Sequence, residues 1–311
     1  MAHARRFRFG IQLSTAPTGG DWAALARKAE DLGYSTLFLP DHFGDQLAPL
    51  PAMMAAADAT TELRVGALVF DNDYKHPVVL AKELATVDVL SGGRVEVGLG
   101  AGWMQSDYVQ SGIPMDAAGV RVTRMEEGIA VIKGCFAPGP FSFSGEHYEI
   151  AGYDGLPKPL QSPPPFLIGG GAKRVLSIAA REAQIVGINP SIHSGHVDAA
   201  AAQNGAAGET DKKLAWVREA AGDRYDDLEI NMLQFAGIIT DDRKGTAEMM
   251  APLFGLPPEE LETYPHTCIG TVEQIADDLR MRRDRWDASY IVFQGDTMEA
   301  LAPVVAALRD T

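Results

Sequence analysis

An aspartate and a histidine that follow a predicted strand are the first candidates for chemistry in this sequence. Asp41 and His42 come directly after the apolar run 35–39 and Pro40. Histidine titrates near neutral pH, so a histidine at the end of a strand can give or take a proton during a reaction. A histidine that only satisfies hydrogen bonds within the fold would fit the same position. The sequence alone leaves both interpretations open.

A glycine turn at the end of another predicted strand is the second candidate. In the stretch Arg94–Trp103 (RVEVGLGAGW), β-forming residues alternate with smaller or polar ones, and the run breaks into Gly100-Ala101-Gly102. This pattern predicts a buried strand followed by a tight turn. Glycine lets the backbone approach a ligand closely, although an ordinary strand-to-loop turn would show the same pattern. Trp103 follows the turn and could stack on a planar ligand.

Three consecutive glycines before a predicted helix are the third candidate. Gly169, Gly170 and Gly171 end a short apolar run, and Lys173 and Arg174 lie within the first turn of the next helix. Backbone N–H groups at a helix N-terminus, together with the positive end of the helix dipole, bind anions such as phosphate. The alternative is a flexible linker with solvated surface cations. The cost of ordering three glycines without a ligand favours the phosphate site.

Eight apolar runs alternate with helical patterns along the whole chain. This alternation predicts a parallel sheet, and eight repeats predict a closed (β/α)8 barrel, a TIM barrel of the α/β class, with an open doubly wound sheet as the alternative. We expect one domain over residues 1–311, with inserted segments at about 136–165 and 190–228. In such barrels the active site lies at the C-terminal ends of the strands, where all three candidates are found. The predicted strands span residues 7–13, 35–39, 63–69, 94–99, 166–168, 185–188, 230–239 and 289–293.

The composition excludes several classes of partner. The formal net charge is −15, which argues against nucleic acid and anionic membranes but permits a small anionic ligand. No run approaches the roughly 18 apolar residues of a membrane span. Residues 1–6 are followed at once by a strand and not by the apolar segment of a signal peptide. We therefore expect a cytoplasmic protein that acts on a small-molecule substrate.

Neither metal chemistry nor nucleophilic catalysis has a candidate in the sequence. Cys135 and Cys268 are far apart and predict neither a disulfide framework nor a metal site, which fits a reducing compartment. No Gly-x-Ser-x-Gly motif is present. Four further histidines lack carboxylates at metal-ligand spacing, and we interpret them as surface or loop residues. These are His147, His193, His196 and His266.

Taken together, these motifs resemble the luciferase-like family of flavin and deazaflavin oxidoreductases, and they are most similar to its actinobacterial branch that uses coenzyme F420. The resemblance extends over nearly the whole chain, and the block from LSGGR to GAGW is its most specific part. It implies a TIM barrel whose C-terminal mouth holds the coenzyme ring. The matching segments are PDHF at 40–43, LRVGALVF at 63–70, residues 76–103, IGGGAKRVLSIAARE at 168–182 and IGTVEQIADDLR at 269–280.

The resemblance also implies roles for individual residues. His42 would face the hydride-carrying carbon or the substrate, with Asp41 beside the ring, and the peptide bond between Leu68 and Val69 matches a position that is often cis. Further coenzyme contacts are implied for Asp71, Ala101, Gly102 and Ser106 at the ring and ribityl chain, for Gly169, Gly170, Gly171 and Ala172 at the phosphate, and for Lys173 and Arg174 at the phosphate or an anionic tail. Trp103 and Phe70 indicate an apolar substrate pocket.

Three functions follow from this reading. The first is an F420-dependent oxidoreductase that transfers a hydride, and the second is a monooxygenase that uses FMN and oxygen on the same barrel. The third is a cofactor-binding protein without turnover. Relatives that oxidise glucose 6-phosphate carry a catalytic glutamate where this chain has Trp103, which argues against a sugar-phosphate dehydrogenase. Relatives are often dimers, so we expect a homodimer. Met53 and Met54 would suit its interface or, equally, the core.

Overall fold

Parallel strands close into a barrel in the computed structural model, which describes residues 5–16, 21–192, 194–196, 198–309 and 311. The strands are β1 (Arg8–Gln12), β2 (Thr36–Leu39), β3 (Arg64–Ala67), β4 (Phe70–Asp71), β5 (Val95–Gly100), β6 (Phe141–Ser144), β7 (Glu149–Tyr153), β8 (Phe166–Gly170), β9 (Ile185–Ile188), β10 (Glu229–Leu233), β11 (Ala236–Ile239), β12 (Thr267–Gly270) and β13 (Ala288–Gln294). The helices are α1 (Trp22–Asp31), α2 (Pro49–Ala59), α3 (Pro77–Leu90), α4 (Gln105–Ser111), α5 (Ala118–Phe136), α6 (Lys173–Glu182), α7 (Ala199–Asn204), α8 (Ala207–Ala221), α9 (Arg243–Phe254), α10 (Pro258–Glu262), α11 (Val272–Trp286) and α12 (Ala302–Leu308).

The strand order shows how the barrel closes. Neighbouring strands follow the order β3-β2-β1-β13-β10-β9-β8-β5, and β5 pairs back with β3, in parallel throughout. β4 continues the third strand after a break and pairs with β5. The barrel therefore has eight staves, meaning eight strand positions around its wall with β3 and β4 counted as one. The predicted (β/α)8 architecture is confirmed.

Helices surround the strands, so each strand is buried on both of its faces. The outer ring contains one long helix after each stave, namely α1, α2, α3, α5, α6, α8, α11 and α12. Burial on both faces explains why the strands read as near-continuous apolar runs, as in β5, where every residue is buried. The barrel interior holds its own apolar cluster, which includes Phe38, Leu167, Ile185 and Val292.

Charged side chains meet at the N-terminal ends of the strands, opposite the predicted site. The fully buried carboxylate of Glu96 accepts hydrogen bonds from Arg8, from Arg64 at 2.8 Å and from the Tyr290 hydroxyl at 3.1 Å. Arg8 also pairs with Glu229 at 2.6 Å. Burial opposes the charged form of Glu96, but the two guanidinium groups outweigh it and hold its pKa below the ordinary value.

The third strand is interrupted where a continuous strand was predicted. β3 ends at Ala67, the peptide bond between Leu68 and Val69 is cis, and β4 resumes at Phe70. The side chain of Gln12, at the end of β1, donates a hydrogen bond of 2.7 Å to the Leu68 carbonyl. The cis bond agrees with the expectation from the family resemblance, and the break places Asp71 at the end of the strand.

The seventh predicted strand, residues 230–239, is wrong in its second half. β10 ends at Leu233, and β11 pairs with β12 outside the barrel. Gln234 anchors the break, because its side chain donates to the Pro265 carbonyl at 3.3 Å and accepts a bond of 3.0 Å from buried Arg282. The chain thus leaves the barrel for an added layer containing β11, α9, α10 and β12, which the sequence reading missed apart from the residues of β11.

Two further expectations concern segments outside the strands. The insert at 136–165 contains the predicted hairpin, β6 paired with β7, whereas the segment 190–228 contains α8, which packs against α6 as part of the outer ring. Met53 is fully buried and Met54 packs against the core, so the structure favours the core role for both. Within the described ranges, no helix is long and apolar enough to cross a membrane.

Candidate active site

A carboxylate from a distant part of the chain holds His42. Because β2 ends at Leu39, His42 stands at the C-terminal end of the barrel. Asp107 lies in the first turn of α4, the helix that follows the glycine turn after β5. The Nδ1 atom of His42 is 2.6 Å from Oδ2 of Asp107, which is 5% exposed. This contact fixes the ring and leaves Nε2 as the nitrogen for a reacting molecule.

Asp107 is a site residue that the sequence reading missed. It accepts two further hydrogen bonds, from the Tyr74 hydroxyl at 3.2 Å and from the backbone N–H of Phe43 at 3.4 Å. A buried carboxylate with three donors is held in place and can orient the imidazole. In the sequence, Asp107 appears only as an acidic residue four positions after Trp103. Because helix α4 is not predicted from the sequence, no pattern indicates that this side chain contacts His42.

Aromatic rings frame the imidazole. Trp103 meets His42 edge-to-face, with ring centroids 5.6 Å apart and planes at 89°. Phe43, the next residue in the chain, packs on Tyr74 with centroids 4.5 Å apart, and Phe43 is 50% exposed. The only hydrogen-bonding group that His42 offers between these rings is its Nε2 atom. The predicted position of Trp103 at the barrel mouth agrees with this geometry.

Two carboxyl groups lie together beside the glycine turn. Asp71 accepts hydrogen bonds from the Tyr108 hydroxyl and from the backbone of Asp73, each at 2.9 Å, and its own N–H donates to Asp41 at 3.2 Å. Burial, with the neighbouring charges of Asp73 and Asp41, raises the pKa of Asp71 to about 6. Burial also raises the pKa of Asp41. The surroundings of both carboxyl groups therefore disfavour negative charge.

The glycine turn packs directly on these carboxyl groups. Gly102 has a positive φ of 73°, and a Cβ atom there would overlap the Tyr108 hydroxyl and the Asp71 carboxylate. Arg121 of α5 donates to the carbonyls of Ala101 at 3.1 Å and Gly102 at 3.2 Å. The position therefore requires glycine for both its conformation and its space.

The three glycines after the fifth stave form a close-packed loop. Gly169 and Gly170 end β8, and a Cβ atom on Gly171 would overlap the backbone nitrogen of Ser191. Helix α6 follows, and Ala172 at its N-cap supplies no side-chain hydrogen bond to the first-turn N–H groups. Backbone donors at a helix N-terminus without a side-chain cap can accept an anion. The start of α6 therefore permits the predicted phosphate contact, which stays a prediction.

Two cations near this loop have partners on neighbouring helices. The Lys173 ammonium lies 3.0 Å from Glu219 of α8 and is 56% exposed. Arg174 donates to the carbonyl of Gly119 at 3.0 Å and to the Thr123 hydroxyl at 2.8 Å, both in α5. A bound anion would have to draw them from these partners, and their role at the phosphate stays a prediction.

The remaining predicted site residues fall in different surroundings. Val69 and Ala101 are partly buried near the mouth, and Ser106 is exposed in the first turn of α4. Phe70 is 2% exposed and packs in the main hydrophobic core, so it does not line an open pocket in this structure.

His266 lies in a turn just before β12, as the interpretation of a surface or loop residue allows, but it is not at the surface. His266 is fully buried, its Nδ1 atom lies 2.9 Å from the Leu233 carbonyl, and its ring stacks on Phe235. Burial lowers its pKa to about 3, which makes it a neutral structural residue. His196 is 69% exposed and His147 is partly buried. His193 lies outside the described residues.

The candidate residues from four staves meet at one end of the barrel. A fixed imidazole, an aromatic ring, a glycine turn and a phosphate-type loop follow β2, β5 and β8, and the cis bond lies just before β4. Such a set suits a ligand with a planar ring and a phosphate-bearing chain, since an aromatic ring lies near the imidazole and the start of α6 has no side-chain cap.

Comparison with known proteins agrees with this geometry. The chain matches the family described as luciferase-like monooxygenase over residues 3–286. An FMNH2-dependent dimethylsulfone monooxygenase of Pseudomonas putida is 37% identical over 116 residues, which cover 37% of this chain and 32% of that protein. An F420-dependent glucose-6-phosphate dehydrogenase of Amycolatopsis mediterranei is 28% identical over 159 residues, which cover 49% of this chain and 48% of that protein. The chain thus spans about a third to a half of the length of these two relatives.

The fold is also similar to a solved structure. The coenzyme F420-dependent tetrahydromethanopterin reductase from Methanopyrus kandleri superposes with a TM-score of 0.78 at 18% identity, covering 98% of this chain and all of the other. At this identity the similarity concerns the fold.

Proposed function

The chain belongs to the luciferase-like monooxygenase family, and from this premise we propose that it is an oxidoreductase that transfers a hydride between coenzyme F420 and a small organic substrate. The observation that carries the proposal is the His42–Asp107 pair at the same end of the barrel as the Gly169–Gly171 loop. Hydride transfer to or from an oxygen-bearing carbon requires a proton carrier near the reacting carbon and a firm hold on the coenzyme.

The residues that would hold the coenzyme come from three loops. The uncapped N–H groups at the start of α6, together with Gly169–Gly171, would bind its phosphate. The glycine turn at Ala101 and Gly102, with Val69 packed against the neighbouring Gly100, would contact the coenzyme ring. When bound, the coenzyme supplies or accepts the hydride.

His42 would move the proton. Its Nδ1 atom is committed to Asp107, so Nε2 is the nitrogen that can donate to, or accept from, a substrate oxygen. Asp107 does not meet the substrate. It is a positioning residue that fixes the orientation of the ring and balances the charge that the imidazole gains when it takes up a proton. Trp103 limits the space beside the ring and excludes water from one side.

The second candidate is a monooxygenase that uses reduced FMN, favoured by the 37% identity with the dimethylsulfone monooxygenase. Both functions need the same phosphate loop, so the coenzyme decides between them. The experiment is a titration of the purified protein with F420 and, separately, with FMN, followed by coenzyme fluorescence. Micromolar or tighter F420 binding with weak FMN binding supports the proposal.

The other results of this titration point elsewhere. Preference for FMN, with substrate-dependent oxygen uptake, would replace the proposal with the monooxygenase. F420 binding without hydride exchange against a broad panel of carbonyl compounds and alcohols would favour a binding protein. Binding of neither coenzyme would contradict the roles given to His42 and the glycine loop.

We further propose a homodimer in the cytoplasm. Both cysteines are buried and unpaired, which suits a reducing compartment. On α3, Val79 is 50% exposed and Leu90 is 64% exposed, and a groove of about 660 Å³ lined by Leu50, Val78 and Val79 runs between α2 and α3. Sedimentation of the purified protein would test the dimer.

A further inference from the structure

We propose that this site takes an uncharged, largely apolar substrate that presents one carbonyl or hydroxyl oxygen to His42, and that it rejects carboxylates and phosphates. The inference rests on the proposed function for the reaction itself. The inference concerns the charge and polarity of the molecule beside His42, and binding measurements can test this separately from the reaction.

Carboxylates already surround the place where the substrate would lie. Asp107 contacts the imidazole, and Asp71 and Asp41 are joined by a backbone hydrogen bond beside the glycine turn. Asp107 is 5% exposed and Asp71 is 7% exposed. Burial already disfavours negative charge at Asp41 and Asp71, and water screens the Asp107 carboxylate poorly. A further negative charge on a substrate would therefore be unfavourable beside them.

The cations that frame the mouth are engaged elsewhere. Arg121 is 8% exposed and directs its donors to the carbonyls of Ala101, Gly102 and Asp116. Arg124 pairs with Asp73 at 2.9 Å and also with Asp116. A substrate anion that recruited either guanidinium would break bonds that hold the loop between β5 and α5. These cations serve the fold of the mouth and are poorly placed to recognise an anion.

Apolar side chains make up the rim around His42. Trp103 stands edge-on to the imidazole, and Phe43, the next residue in the chain, is half exposed. Exposed apolar surface near a single polar atom is stabilised when an apolar ligand covers it. Because Nδ1 is bound to Asp107, His42 offers one hydrogen bond, which suits one carbonyl or hydroxyl oxygen.

A pair of probes with the same shape and different charge tests the inference. para-Acetylbenzamide and para-acetylbenzoate carry the same ketone and differ in one group, an uncharged amide or a carboxylate. Binding of each is measured by titration calorimetry and by saturation-transfer NMR, with and without bound F420. We expect the amide to bind at least about tenfold more tightly than the carboxylate.

Variants show whether the discrimination arises at the mouth. Trp103→Lys should reduce the preference for the amide about tenfold or reverse it, since it places a cation beside His42. Phe43→Lys tests the same point at a half-exposed side chain next to His42, and we expect a smaller change in the same direction. Leu160→Lys is the matched control, because Leu160 is 62% exposed and lies beside Gly93, just before the start of β5 at the opposite end of the barrel. It should leave the ratio unchanged.

The outcomes separate the inference from the proposed function. Equal or tighter binding of the carboxylate to the wild-type protein would overturn the inference, as would failure of both ketones to bind the F420-loaded protein. Binding of the amide by a protein that binds no F420 would leave the inference standing and remove the proposed function. Reduction of an anionic ketone in preference to its amide would leave the proposed function standing and overturn the inference.

Discussion

The imidazole of His42 and the carboxylate of Asp107 lie 2.6 Å apart although 65 positions separate them in the sequence. One follows the second stave of the barrel and the other follows the fourth, so only barrel closure brings them together. In this arrangement the carboxylate orients the imidazole by binding Nδ1, and Nε2 is the nitrogen that transfers the proton. The first two predictions follow from it.

Removal of the imidazole should abolish most of the turnover without loss of coenzyme binding. We expect H42A to lower kcat by about 10²- to 10⁴-fold, the usual contribution of a positioned general acid or base. The Kd for F420 should change by less than about threefold, since the phosphate loop is intact. Stopped-flow absorbance of the coenzyme and a fluorescence titration give the two quantities. An unchanged kcat would remove His42 from the chemistry.

Loss of the orienting charge should have a smaller effect of the same kind. We expect D107N to lower kcat about tenfold to hundredfold while the Kd for F420 stays constant, because the effect acts through His42. Y74F is the matched control: it removes the hydroxyl that donates to Asp107 at 3.2 Å but leaves the carboxylate against the imidazole. A larger loss in Y74F than in D107N would contradict the positioning role.

The barrel and most of its site residues could be predicted from local patterns. Each stave is a short apolar run bounded by turn residues, and residues at the ends of parallel staves meet at one face, so Asp41, His42 and Gly169–Gly171 could be placed without coordinates. Asp107 could not, because its role depends on the direction in which α4 leaves the glycine turn. An acidic residue in a short helix has no periodic signal that points to a distant histidine.

The added layer shows a second limit of sequence reasoning. Residues 230–239 read as one strand because most of them are apolar. However, Gln234 ends β10 through its hydrogen bonds to Pro265 and Arg282. Similarly, His266 reads as an exposed loop residue, but it is fully buried in its turn and stacks on Phe235. Both errors arise from long-range contacts that composition and periodicity do not carry.

A side chain at Gly171 should weaken coenzyme binding. In G171A the new Cβ atom would overlap the backbone nitrogen of Ser191, so the loop must shift away from Ser191, and its position before α6 changes. We expect the Kd for F420 to rise more than about tenfold, the equivalent of roughly 1.4 kcal/mol. G208A is the control, since a Cβ atom at Gly208 in α8 meets nothing within 4 Å. Equal affinity of both variants would contradict the phosphate cradle.

Replacement of Asp71 should make stability less dependent on pH. Burial raises its pKa to about 6, so between about pH 4 and 6 the folded protein binds the proton more tightly than the unfolded chain. The free energy of unfolding from this group therefore falls as the pH rises through that window. The full effect at higher pH is on the order of 1–3 kcal/mol.

D71N should consequently be more stable than the wild type at pH 8, with a difference that shrinks toward pH 4. The amide can be accommodated, because the Tyr108 hydroxyl has a second acceptor in Asp73 at 3.1 Å and can receive a bond from the new N–H group. Urea unfolding at several pH values measures the difference, and D45N at an exposed position controls for the loss of one carboxylate. A difference that stays constant with pH would refute the prediction.

Removal of the buried carboxylate at the other end of the barrel should destabilise the fold without touching the site. Glu96 is fully buried between Arg8 and Arg64, and E96A would leave two guanidinium groups without their shared partner. We expect a loss of about 3–5 kcal/mol in the free energy of unfolding, the usual cost of breaking a buried ion pair from one side. Urea denaturation followed by circular dichroism measures it.

Two comparisons show whether this loss comes from unpaired charge. E229A removes the other carboxylate on Arg8, at a side chain that is 16% exposed, and should cost less than E96A because water can replace the lost partner. In a double-mutant cycle, R64A should lower the free energy of unfolding far less in the E96A background than in the wild type. The reason is that in E96A it removes a cation that has lost its partner. If the losses in unfolding free energy of E96A and R64A simply added in the double mutant, Glu96 would stabilise the fold by packing and not by its charge, which would contradict the prediction.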